Sequence, residues 1–161
     1  MTTLRSLLPA AALGILSAIL FFTYLGDRDL ISSHEARAAQ NAQMILNEGD
    51  WLLPRLFDRQ TELQKPPLVY WLIALLGWLR GGEIDAWCVR LPAALSALGC
   101  VLFVYFVGRR CGRETTGFLA ALLLATFVHF TWLAQVGRID MPLTLAVTVA
   151  LGSFHLGRVE G

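Results

Sequence analysis

The chain has 161 residues, of which 56% are hydrophobic and 16% charged, and its mean hydropathy is +0.59. A soluble domain carries about 25% charge, so long apolar blocks on this background exclude an ordinary soluble domain and point to an integral membrane protein. The net charge of +1 offers no basic field for nucleic acid, and three scattered cysteines (Cys88, Cys100, Cys111) have neither metal spacing nor the even count of a disulfide framework, which leaves them as packing residues.

In chain order, the polar start carries Arg5. Leu7 to Leu25 is then apolar apart from Ser17, Thr23 and Tyr24, long enough to cross a bilayer core that needs about 20 residues. A cleaved signal peptide is the competing reading. Its apolar region would be shorter, and no small-x-small cleavage site precedes Gly26, so an uncleaved first span is expected. Residues 26–66 are polar. Leu68 to Leu79 is apolar but short for a span. Leu91–Gly108, with Arg90 and Arg109 at its ends, Gly117–Ala134 and Met141–Gly157 read as three further spans.

Positive charge sets the orientation. The short loop holding Arg109, Arg110 and Arg113 should be cytoplasmic, as should Arg5 and Arg158. Four spans (7–25, 91–108, 117–134, 141–157) satisfy all three conditions and put the 26–90 loop outside, together with the Gln135–Asp140 turn. If Leu68–Leu79 also crossed, the Arg-rich turn would face outward. That segment therefore lies along the outer surface, where Tyr70, Trp71 and Trp78 are at home. The fold class expected is all-α and integral to the membrane, in one domain, with surface helices near 33–48 and 67–79.

Within the loop, Ser32 as N-cap with Glu35 three residues on reads as a capping box. Ala36 to Leu46 are helix formers, and Gly49 is a C-cap. Ala39, Ala42, Ile45 and Leu46 share one face. Pro54 and Pro66-Pro67 break the chain.

The candidate functional residues sit in or beside this loop. His34 accepts a proton near neutral pH. Glu35 is stabilised as a carboxylate by the helix N-terminus; the alternative is that Glu35 only caps and His34 is merely solvated. Arg37 follows one turn on. Lys65, ahead of a rigid Pro-Pro corner, suits a lipid phosphate, or it is a snorkelling anchor. Asp140, in Gly137-Arg138-Ile139-Asp140-Met141-Pro142, either caps the last helix or is a functional group at membrane depth, on the same side as the loop.

Taken together, His34-Glu35-Ala36-Arg37, Gly49-Asp50-Trp51-Leu52-Leu53-Pro54, Lys65-Pro66-Pro67-Leu68-Val69-Tyr70-Trp71-Leu72, Val89-Arg90-Leu91-Pro92-Ala93-Ala94 and the Gly137–Asp140 turn resemble the N-terminal part of the multi-pass GT-C glycosyltransferases. The nearest in kind are the protein O-mannosyltransferases and the lipid A aminoarabinose transferases. The resemblance implies transfer of a sugar from a polyprenyl-phosphate carrier to a lipid or protein acceptor. The reaction would take place on the non-cytoplasmic side of the cell (inner) membrane. It implies carrier-phosphate binding by Arg37 and Lys65, and a second acidic position at Asp140. The family opens its loop helix with an Asp-Glu pair. Here His34 stands in the Asp position, so the base is His34, Glu35 or Asp140. Some members bind a divalent cation through an acidic residue before the Lys; Gln64 stands there, which weighs against a metal. Family members run to several hundred residues, so the chain reads as an N-terminal fragment, a truncated reading frame or one part of a split enzyme, expected to be inactive alone. Two other classes compete. One is a non-catalytic membrane subunit that binds lipid phosphate. The other is a small transporter using Asp140 and Glu35 as a proton relay.

Overall fold

The computed structural model describes residues 2–57, 61 and 65–160, with side chains from Leu8 to Arg158 within that range. Among the described residues the chain forms seven helices: α1 Thr2–Phe22, α2 Ser33–Glu48, α3 Leu68–Leu79, α4 Ala86–Cys111, α5 Glu114–Thr126, α6 Val128–Ala134 and α7 Asp140–Glu160. The only extended pairing among them is an isolated bridge between Arg55 and Thr61. The expected all-helical class is therefore observed. The chain divides into two compact units, one of residues 1–23, 94–135 and 140–161, the other of residues 24–93 and 136–139, with one boundary inside α4.

In the first unit, Leu13, Ser17 and Phe21 are buried at helical spacing on α1, and the Phe21 ring meets Phe130 of α6 edge-on at 5.9 Å. The Gln135 amide donates to the Leu20 carbonyl at 2.7 Å. The 117–134 stretch, expected as one span, is broken: α5 and α6 meet at 67° because Phe127 takes an extended backbone (φ −68°, ψ 120°). Neither Pro nor Gly causes the bend. Two hydroxyls bond backbone carbonyls at the break: Thr126 Oγ1 donates to Leu122 O at 2.8 Å, and Thr131 Oγ1 donates across it to Ala125 O at 3.0 Å, whose helical partner is lost.

Among the described residues, α4 is the single helix that is by itself long and apolar enough to cross a membrane, and the bent α5–α6 pair is a second if taken as one span. Leu8–Phe22 and α3 are apolar but shorter. Helix length thus leaves the four-span count open. Two boundaries also differ from expectation. The first helix ends at Phe22, before a turn in which Tyr24 has φ 58°. The fourth starts at Ala86, so Arg90 is inside a helix instead of at its end. Cys88 and Cys100 are buried as packing residues, whereas Cys111 is exposed.

The second unit is built on α2 and α3. Ala38, Ala42 and Ile45 of α2 face Val69, Tyr70, Ile73 and Ala74 of α3, with Cys88 and Val89 of α4 completing the core. Alanines on α2 let the helices approach closely, and Gly49 ends α2 at φ 72° with its N–H on Ile45 O at 2.9 Å, as expected of a C-cap. The α3–α4 turn is held by the Gln43 side chain, which donates to Gly82 O at 2.9 Å and accepts from Ile84 N–H at 3.0 Å. Asp85 caps α4 by accepting from Cys88 N–H at 2.8 Å and pairs with Arg80 at 3.0 Å. Burial pushes the Asp85 carboxyl up, but the Cys88 hydrogen bonds and Arg80 outweigh it and hold the group below its usual value.

Candidate active site in the 24–93 unit

The first turn of α2 presents two neighbouring residues in opposite directions. Glu35 points inward and is 4% exposed. The expected capping box does not form. Ser32 makes no side-chain cap bond, and the Glu35 side chain is turned toward Arg90 instead of back to the Ser32 N–H. Arg90 Nε donates to Glu35 Oε1 at 2.7 Å and Nη2 to Oε2 at 3.3 Å. The same guanidinium donates through Nη1 to Leu25 O (3.0 Å) and Arg28 O (2.8 Å), and through Nη2 to Asp29 O (2.9 Å). All five guanidinium N–H groups are thereby used, which is what makes a buried Arg tolerable.

Glu35 is satisfied from a second side. Gly137 N–H donates to its Oε1 at 3.0 Å. A Cβ at position 137 would stand 2.4 Å from Val89 Cγ1 and 2.8 Å from Val89 O, so only glycine lets this backbone come close enough. The Glu35 carboxylate thus joins α2 to the start of α4 and to the 136–139 turn, and its partner Arg90 adds the 25–29 loop. Sequence reading treated Arg90 as a flank of the next apolar run and missed this role. The available signal was its place between Val89 and Leu91-Pro92 in an otherwise apolar stretch, since a charge there needs a buried partner.

His34 faces outward and is exposed, as is Arg37 one helical turn along. Lys65 Nζ lies 3.3 Å from His34 Nδ1. An ammonium can only donate, so in this contact Nδ1 is the acceptor. The unit thus gathers His34, Arg37 and Lys65 on one accessible face, with Glu35 behind them. Asp140 opens α7 in the other unit, directly after the Gly137 turn in the chain. Gln64 lies outside the described residues. Among those described, no three His, Cys, Asp or Glu side chains group to hold a metal ion.

Comparison with known proteins agrees with this architecture. The family described as dolichyl-phosphate-mannose-protein mannosyltransferase matches residues 64–158. Undecaprenyl phosphate-alpha-4-amino-4-deoxy-L-arabinose arabinosyl transferases are similar to the chain. The one from Pectobacterium atrosepticum is 29% identical over 91% of this chain and 26% of its own length, and that of Pectobacterium carotovorum 30% identical over 88% and 25%. The crystal structure of ArnT from Cupriavidus metallidurans bound to undecaprenyl phosphate superposes with a TM-score of 0.80 at 23% identity, covering 88% of this chain and 26% of that one. Its apo state gives 0.76 at 22% identity. The chain spans about a quarter of the length of these relatives. With more than half of its residues matched, the chain belongs to the dolichyl-phosphate-mannose-protein mannosyltransferase family of GT-C glycosyltransferases.

Proposed function

We propose that the chain carries the donor-phosphate and acid–base part of a membrane glycosyltransferase that uses a polyprenyl-phosphate-linked sugar. The observation that carries this reading is the exposed His34–Lys65 pair beside Arg37, set on a helix whose next residue is locked from behind by Arg90. The carrier class follows the relatives, which are named for an undecaprenyl phosphate donor.

The chemistry is a single displacement with inversion. An acceptor hydroxyl or phosphate oxygen attacks the anomeric carbon while the bond from that carbon to the carrier phosphate breaks. The electron pair leaves with the phosphate, and Lys65 and Arg37 neutralise the growing charge. The acceptor proton passes to a base. Glu35 already has both oxygens engaged by Arg90 and Gly137, which favours a positioning role for it. His34 is the first choice for the base and Asp140 the second. The pair also suggests an order of events. While Lys65 donates to His34, Nδ1 is occupied. When Lys65 turns to the carrier phosphate, Nδ1 is released to take the acceptor proton.

The proposed topology is four spans, carried by α1, α4, the bent α5–α6 pair and α7, with the loop between α1 and α4 and the start of α7 at Asp140 on the non-cytoplasmic side of the inner membrane. The cluster of Arg109, Arg110 and Arg113 supports it, because arginines in short loops favour the cytoplasmic face. A purely lipid-binding role is the second reading, favoured by the fully engaged Glu35. Binding of undecaprenyl phosphate and sugar transfer from an undecaprenyl-phosphate-linked sugar donor, measured side by side in membranes containing the protein, separate the two. Lys65→Ala and Arg37→Ala should weaken binding about tenfold or more each. His34→Gln should abolish transfer with binding kept. Transfer undiminished in His34→Gln would contradict the assignment of the base.

A further inference from the structure

We propose that the turn Trp51–Leu53 is a second membrane anchor, seated in the headgroup–acyl boundary beside the outward face of α3. The proposal rests on the reading of α3 as a surface helix. Helix α3 is apolar on both sides: Val69, Tyr70, Ile73, Ala74 and Gly77 are buried, while Leu68, Leu72, Leu75 and Leu79 recur at helical spacing on the exposed side with Trp78. Its 12 residues extend about 18 Å, too little for a core of about 30 Å.

The turn after α2 continues this surface. Leu52 is 79% exposed and Phe57 57%, and Trp51 and Leu53 are exposed with them. Such side chains on a wandering loop would carry no argument, but this turn is built. Asp50 Oδ1 accepts from Leu52 N–H at 3.1 Å and Leu53 N–H at 3.2 Å. Pro54 has no N–H to satisfy. Trp51 O accepts from the Trp71 indole at 2.6 Å, which fastens the turn to α3. Arg55 braces its base through Glu48 (3.6 Å) and Asp50 (3.4 Å). The N–H groups of Leu52 and Leu53 are thus satisfied from within, which lowers the cost of taking the tip out of water. Indoles at Trp51 and Trp78 suit the same depth.

The test uses the chain with Cys88, Cys100 and Cys111 replaced by Ala, reconstituted in phosphatidylcholine–phosphatidylglycerol vesicles. Single cysteines replace Leu52, Leu68, Leu75 or Leu79, each carrying an environment-sensitive fluorophore. The proposal expects position 52 to be quenched at least twofold better by shallow than by deep nitroxide lipids, as position 75 is, and to be shielded from aqueous iodide. Asp50→Ala should restore at least half of the iodide quenching at position 52. Iodide access at position 52 with lipid contact kept at position 75 overturns the anchor and leaves the surface helix standing. Shielding of position 52 from iodide and lipid quenchers alike means a protein cover and also overturns it. Positions 68 and 79 reporting opposite leaflets would instead show that α3 crosses, and the topology itself would fail.

Discussion

Glu35 and His34 are adjacent in the chain and opposite in physical situation. Glu35 lies in a closed knot in which the guanidinium donors of Arg90 and the carboxylate oxygens are all occupied. His34 shares a single 3.3 Å contact with Lys65 at the surface. A buried, completed set of hydrogen bonds is costly to break but offers nothing to a ligand. An exposed pair contributes little to stability and is free to rearrange. The helix start is thus fixed from one side so that the other side can change partners.

The largest expected effect is at the knot. Arg90→Ala leaves Glu35 buried with only the Gly137 N–H and three loop carbonyls without their donor, and should cost about 3–5 kcal/mol. Denaturant unfolding in detergent micelles measures it. Gly137→Ala should cost about 1–3 kcal/mol, because the added methyl meets Val89 before the N–H can reach Glu35. Trp71→Phe keeps an aromatic ring but loses the indole hydrogen bond to Trp51 O, which should cost about 0.5–1.5 kcal/mol by the same measurement. Lys65→Ala should change stability by less than about 0.5 kcal/mol while weakening undecaprenyl phosphate binding. A large loss of stability there would erase the distinction between the two faces. The smallest effect is at the Asp85 cap. Its lowered carboxyl contributes stability that is full above the ordinary aspartate value of about 3.9. That contribution is lost as pH falls through the lower folded value. Asp85→Asn should flatten this part of a stability–pH curve.

Much of the second unit was legible in the sequence because its signals are local. Helix formers between Ser32 and Gly49 gave α2 its limits, and the Pro pair gave α3 its start. The knot was not legible. Glu35 and Arg90 are 55 residues apart, and locally each has a blander reading, as a cap and as a flanking cation. Burial decides between them, and burial is a tertiary property. The break at Phe127 was hidden for a related reason. It carries no Pro or Gly, and the threonines that stabilise it, Thr126 and Thr131, read as ordinary span residues until their hydroxyls are seen on backbone carbonyls. Of the candidate residues, His34, Arg37 and Lys65 were identifiable by chemical type, but the His34–Lys65 contact joins residues 31 apart and needed the fold to appear.

The central claim is that Lys65 exchanges His34 for the carrier phosphate. It is tested most directly by nitrogen-15 NMR of the histidine rings of the chain in lipid nanodiscs, with the His34 signal assigned through His34→Gln. On addition of undecaprenyl phosphate, the His34 Nδ1 resonance should shift as its ammonium donor leaves. In Lys65→Ala, whose His34 has no such donor, the lipid should produce no comparable change. A bound carrier lipid with an unmoved His34 Nδ1 resonance in the unmodified chain would contradict the claim.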